Sequence, residues 1–138
     1  MMNILVLCTG NSCRSQIAEG FLTKLSRGRA KVYSAGIDVH GVNPDAVKYM
    51  KEFAGIDISS QTSNNVSDYF DIDFDYIITV CDHAKENCPY FPSLAERIHR
   101  NFYDPSKVKG TSSDVEEAYE KSISEIGVFC REFVNQYL

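Results

Sequence analysis

A single α/β domain is the fold this chain predicts, a four-stranded parallel sheet with helices on both faces across residues 1–138. Two kinds of segment carry that expectation. Asn3-Ile4-Leu5-Val6-Leu7 and Tyr76-Ile77-Ile78-Thr79-Val80 are apolar almost throughout, as strands buried on both faces of a sheet are. Around them lie longer stretches whose apolar residues recur at helical spacing. No repeat, low-complexity tract or linker interrupts the alternation, and 138 residues suffice for one substantial core.

In chain order, the first strand is predicted over 3–7 and the first helix over 15–27, with Ile17, Ala18, Phe21, Leu22 and Leu25 on one face. Lys31-Val32-Tyr33-Ser34-Ala35 reads as a second strand, closed by Gly36. Asn43-Pro44 opens the next helix, a capping side chain followed by proline at the first helical position. Val47, Met50 and Ala54 give that helix its apolar stripe, and Gly55 ends it. Residues 59–70 are polar and aperiodic, which predicts a loop with a short helix at most. The third strand covers 76–80. Pro89 and Pro92 prevent 82–95 from forming one unbroken helix, and a fourth strand is expected around 96–100. Ser113-Asp114-Val115-Glu116 reads as the capping box of a last helix whose core face is Ile126, Phe129, Cys130, Phe133, Val134 and Tyr137.

Composition excludes several functions. A net charge of −5 gives no basic footprint for nucleic acid. No apolar stretch is long enough to cross a membrane, and the N-terminus lacks the basic region and apolar length of a secretory signal. The expectation is a cytoplasmic monomer whose thiols are kept reduced. Its five cysteines, at 8, 13, 81, 88 and 130, therefore do not form a static disulfide framework.

Cys8 ends the first strand, and Thr9-Gly10-Asn11-Ser12-Cys13-Arg14-Ser15 leads from it into the first helix. Amides at a helix N-terminus lack intrahelical partners and carry the positive end of the macrodipole. Gly10 lets the backbone wrap closely around a ligand, and Arg14 offers a planar fork to a tetrahedral oxyanion. The same field favours the nucleophilic thiolate of a cysteine placed there. The loop is thus predicted to join a reactive thiol to an anion cradle. Cys13 is read as a support for the loop, and Cys130 as a small core residue.

Val80-Cys81-Asp82-His83-Ala84-Lys85-Glu86-Asn87-Cys88-Pro89 also starts at the carboxyl end of a strand, so it faces the same crevice. Cys81 and Cys88 read as a redox pair, as two packed thiols, or with His83 as a partial zinc site that lacks a fourth ligand. In a helix their Cα atoms would lie ~10 Å apart. A disulfide needs them within about 7 Å, so bonding would require the segment to unwind. Asp104, fixed in a turn by Pro105, is a general acid or only a turn-former. His40, His83 and His99 are scattered and read as surface or locally hydrogen-bonded groups.

The run Cys8 to Ser15 resembles the phosphate loop of low-molecular-weight protein tyrosine phosphatases. Within that superfold the chain is more similar to thioredoxin-coupled arsenate reductases. The likeness rests on Cys-Thr-Gly-Asn-Ser-Cys-Arg-Ser-Gln (8–16), Tyr-Ser-Ala-Gly-Ile (33–37), His-Gly-Val-Asn-Pro (40–44), the Cys81/Cys88 pair and Asp104-Pro105. Gln16 stands where phosphatases usually have proline, and Ser106-Lys107 replaces the tyrosines that line their cleft.

The resemblance implies reduction of arsenate to arsenite. Cys8 is then the nucleophile, Arg14 and the loop from Thr9 through Gly10, Asn11, Ser12 and Cys13 to Ser15 hold the oxyanion, and Asp104 is the acid. Cys81 and then Cys88 resolve the adduct through Cys8–Cys81 and Cys81–Cys88 disulfides. Thioredoxin supplies the electrons, no cofactor is bound, and phosphate or sulfate competes for the cradle. Ser15 keeps Cys8 ionised and Asn11 holds the loop's shape. Some relatives bind potassium beside the loop. Asn11, Glu19 and Ser34 match that set, but Asn64 stands where an aspartate is expected, and the lost charge weakens the site. A phosphatase using Cys8, Arg14 and Asp104 is the main alternative. A non-catalytic oxyanion-binding thiol sensor is another.

Overall fold

The computed structural model describes residues 1–86 and 94–138. Four strands, β1 (Met2–Cys8), β2 (Ala30–Gly36), β3 (Tyr76–Thr79) and β4 (Glu96–His99), form one parallel sheet in the order β2-β1-β3-β4. The main helices are α1 (Arg14–Ser26), α2 (Pro44–Ala54), the short α3 (Asp82–Glu86) and the long α4 (Ser112–Tyr137). Single 3₁₀ turns cover Val66–Tyr69 and Pro105–Lys107.

β1 is interior to the sheet, and Ile4 to Leu7 are wholly buried, which explains why that run shows no alternation. The pleat separates two faces. Tyr76 packs on Phe133 and Tyr137 of α4, and Ser34 reaches Glu19 of α1, so these strand positions mark the face under α1 and α4. On the opposite face Tyr33 meets Tyr69 and Phe74 edge-on, and His99 reaches Asp82 of α3. Among the described residues, the helical cover there is α3 and a 3₁₀ turn. β1 connects to β2 on one side, and the chain then returns past β1 to β3. The reversal opens a crevice at the carboxyl ends of β1 and β3, the place where such sheets bind ligands.

Local signals explain the boundaries. Asn43 caps α2 by accepting from the amides of Asp45 and Ala46, and Gly55 ends it with φ 68°, its amide donating to Lys51 O and that of Ile56 to Met50 O. The last helix corrects the expected cap. Thr111 is the N-cap, its hydroxyl accepts from the Asp114 amide, and the Asp114 carboxylate accepts from the Thr111 amide. The box is therefore Thr111–Asp114 rather than Ser113–Glu116, with aspartate in the role that glutamate usually takes. The core face of α4 also begins earlier than expected, at Tyr119 and Ile123. The expected strands at 76–80 and 96–100 end one residue sooner, at Thr79 and His99.

Candidate active site

A cavity of about 270 Å³ at the carboxyl end of β1 is lined by Cys8, Thr9, Gly10, Ser12, Cys13, Arg14, His40, Asp104, Ser106 and Lys107. The loop that forms it is fixed from outside through its carbonyl groups. Thr9 O accepts from the amides of Ile37 and Asp38, and Gly10 O from the amide of His40. Asn11 O accepts from the Gln16 side-chain amide and the Ser63 hydroxyl, Ser12 O from the amide of Asn43, and Cys13 O from that of Ile17. With its carbonyls turned outward, the loop presents its N–H edge to the cavity. Among the described residues, the amides of Thr9 through Gln16 find no acceptor. That is a cradle for an oxyanion at a helix N-terminus.

Asn11 organises the bend. It adopts φ 48°, in the left-handed region where asparagine is among the tolerated residues, and it is fully buried. Its Oδ1 accepts from the Asn64 amide at 2.7 Å and its Nδ2 donates to Ser15 Oγ at 2.7 Å. Ser15 Oγ lies 2.9 Å from Cys8 Sγ. Because Ser15 accepts from Asn11, its own proton is available to the sulfur, an arrangement suited to a thiolate. Gln16 explains its own presence. Its side-chain N–H groups donate to Asn11 O and Thr62 O, while Gln61 donates to its carbonyl oxygen and its side-chain oxygen. A proline at that position could make none of the side-chain bonds.

Arg14 donates from Nη1 to Phe102 O at 2.9 Å, and Nη2 lies 3.6 Å from Asp104 Oδ2. Asp104 Oδ1 accepts both the amide and the hydroxyl of Ser106, at 3.0 and 2.6 Å. Its Oδ2 is therefore the oxygen turned toward Arg14. Cys81 follows β3 and is buried. Its sulfur lies 3.3 Å from Thr9 Oγ1 and accepts from the Ala84 amide at 3.4 Å. A second thiol thus touches the loop that carries the first. Cys88 lies outside the described residues. Cys8, Cys13, Cys81 and Cys130 are free thiols.

Burial and the nearby Asp104 charge push the Cys13 thiol up to about 12, and its Sγ contacts Tyr119 Oη at 3.8 Å. Burial also raises Cys130 far above a free thiol. Both stay protonated and unreactive. The residues of the potassium set are joined to their surroundings by hydrogen bonds. Asn11 Oδ1 is already engaged by Asn64, Ser34 donates its hydroxyl to Glu19, and burial raises the Glu19 carboxyl. Asn64 turns its amide nitrogen to Ser34 O and Thr62 O and brings no charge. No group of three or more His, Cys, Asp or Glu gathers as a metal site among the described residues.

The sequence missed two contributors. Gly36 lies against the loop so closely that a Cβ there would sit 2.8 Å from Thr9 O and Asn11 N. His40 borders the cavity, and its ring Cδ2 would lie 2.7 Å from a Cβ placed on Gly10. Both depend on a contact of the loop with the end of β2 and the segment after it, which no local pattern announces.

The family of low molecular weight phosphotyrosine protein phosphatases matches residues 3–136. The chain belongs to that family. It is also 49% identical over 124 residues to an arsenate reductase of Halalkalibacterium halodurans, covering 90% of this chain and 88% of the relative. A solved arsenate reductase in the phosphate binding state superposes with a TM-score of 0.80 at 27% identity, covering 100% of both chains. An arsenate reductase in an oxidized state gives 0.83 at 28% identity, covering 99% of this chain and 98% of the other. No described helix is long and apolar enough to cross a membrane.

Proposed function

We propose that this protein reduces arsenate to arsenite with Cys8, Cys81 and Cys88 acting in series, and that a dithiol protein of the thioredoxin class restores the reduced state. One observation carries the reading: Cys81 Sγ sits 3.3 Å from Thr9 of the anion loop. A phosphatase needs one thiol and a water at such a loop. A reductase needs a second thiol within reach of the first.

Arsenate enters the cradle, where the loop amides and Arg14 hold its oxygens. Cys8 Sγ attacks arsenic, and a hydroxyl group departs as water after taking a proton from Asp104. Cys81 thiolate then attacks Cys8 Sγ. The sulfur–sulfur bond forms, the sulfur–arsenic bond breaks, and its electron pair stays on arsenic, which leaves as arsenite. Cys88 attacks Cys81, which frees Cys8 and leaves Cys81–Cys88. The external dithiol reduces that bond and so supplies the electron pair that arsenic took. The cycle needs no resident cofactor, and it runs in a monomer in the cytoplasm, where dithiol reductants are available.

Membership of the phosphatase family favours a second activity at the same loop. Phosphate binds where arsenate does but does not accept the electron pair, so it competes, and phosphate esters are hydrolysed slowly with water as second nucleophile. A Cys88→Ser variant tests the relay. It should stop after one turnover with Cys8–Cys81 trapped, visible by mass spectrometry of the unreduced protein. Repeated turnover with thioredoxin alone would refute it.

A further inference from the structure

The sheet face that carries α3 holds a chain of side chains that the anion loop does not use. Thr79 and His99 are register partners on β3 and β4, so their side chains leave the same face next to one another. Thr79 Oγ1 lies 2.8 Å from His99 Nδ1, and His99 Nε2 lies 2.7 Å from Asp82 Oδ1. A carboxylate only accepts, so Nε2 carries a proton and donates to Asp82, while Nδ1 shares the second hydrogen bond with the Thr79 hydroxyl. Asp82 is held a second time through its backbone, whose N–H donates to Asn101 Oδ1 at 3.1 Å.

The position so fixed is the one directly after Cys81. On its other side, Val80 donates to Leu7 O at 2.9 Å and accepts from the Phe102 amide at 3.1 Å, in the manner of a sheet. Cys81 is therefore clamped between a main-chain tie at Val80 and a mostly side-chain tie at Asp82. Its own sulfur contacts, at 3.3 and 3.4 Å, are weak by comparison, and five residues of α3 cannot hold a helix end in place alone. The two ties differ in how easily they open. Thr79 is buried, but the Asp82 side chain is 66% exposed, so water competes for the outer link.

We propose that His99 and Asn101 are positioning residues that latch Cys81 beside Cys8 and release it by letting go of Asp82. The inference rests on the reading of Cys81 as the thiol that resolves the Cys8 adduct. The latch keeps the thiol in the crevice for attack on Cys8. Its solvent-exposed outer link is the one that opens when Cys81 must turn to a further thiol.

The experiment is time-resolved alkylation of the fully reduced protein with iodoacetamide, followed by peptide mass spectrometry, with Cys8 as the internal reference. Asp82→Ala cuts the link at an exposed side chain, and His99→Leu cuts it from the other end. Each should raise the labelling rate of Cys81 by roughly tenfold, the equivalent of one lost hydrogen bond to a charged group, and leave that of Cys8 unchanged. Unchanged Cys81 labelling in both variants, or equal acceleration of Cys8 and Cys81, would overturn the latch. Selective exposure of Cys81 in a protein that turns over no arsenate would uphold the latch and defeat the relay.

Discussion

Gly36→Ala is the substitution whose effect follows most directly from geometry. Gly36 does not adopt a left-handed conformation, so alanine brings no backbone strain, and the whole effect comes from space. The new methyl would lie 2.8 Å from Thr9 O, 2.8 Å from Asn11 N and 2.9 Å from Gly10 C, against 3.4 Å for ordinary contact. The loop must retreat by about 0.6 Å, a typical overpacking displacement. It cannot do so freely, because Thr9 O is bound at 2.9 Å by the amides of Ile37 and Asp38, which immediately follow the substituted residue. The expected destabilisation is about 1–3 kcal/mol, read as a lower urea midpoint at unchanged slope. A misplacement of ~1 Å costs on the order of a hundredfold in rate, so the smaller shift here should cost roughly tenfold. Calorimetric titration with phosphate should show weakened binding in parallel. A variant with wild-type urea midpoint, phosphate affinity and turnover would refute the account of how the loop is held.

Three further outcomes follow from the same site. Arg14→Lys should reduce turnover by roughly 10²-fold or more in steady-state assays, since an ammonium group cannot replace the planar fork that binds Phe102 O and faces Asp104. Asn11→Ala should lower stability by about 2–4 kcal/mol in urea titrations, because it leaves the Asn64 amide unpaired and puts alanine at φ 48°. Cys13 holds its proton in the folded state up to about 12, against 9.0 for an ordinary thiol. The unfolded chain thus loses that proton first, and stability should fall as pH rises from about 9 toward 12. Cys13→Ser should flatten this loss, and an equally steep loss in that variant would show that Cys13 is not its source.

What the sequence made legible was what repeats or caps locally. The uninterrupted apolar run of β1 announced a strand buried on both sides, and Asn43-Pro44 and Gly55 announced both ends of α2. The step from Cys8 through Gly10 to Arg14 announced an anion loop, because a strand, a tight turn and a helix start are adjacent in the chain. The buttress of that loop was not legible. Residues 59–70 read as a polar loop with a short helix at most, yet Thr62, Ser63 and Asn64 bind Gln16, Asn11 and the backbone around them. Polar residues with these partners look the same in sequence as polar residues facing water. The same reason hid the tie from His99 to Asp82, whose two ends meet only because β3 and β4 pair in register.

The relay is tested most directly by following NADPH loss in a mixture of the protein, arsenate, thioredoxin and thioredoxin reductase. Arsenate-dependent oxidation that disappears in Cys81→Ser is the predicted result. Hydrolysis of an aryl phosphate in a parallel reaction, with no arsenate-dependent oxidation, would contradict the relay and leave a phosphatase loop beside an idle thiol.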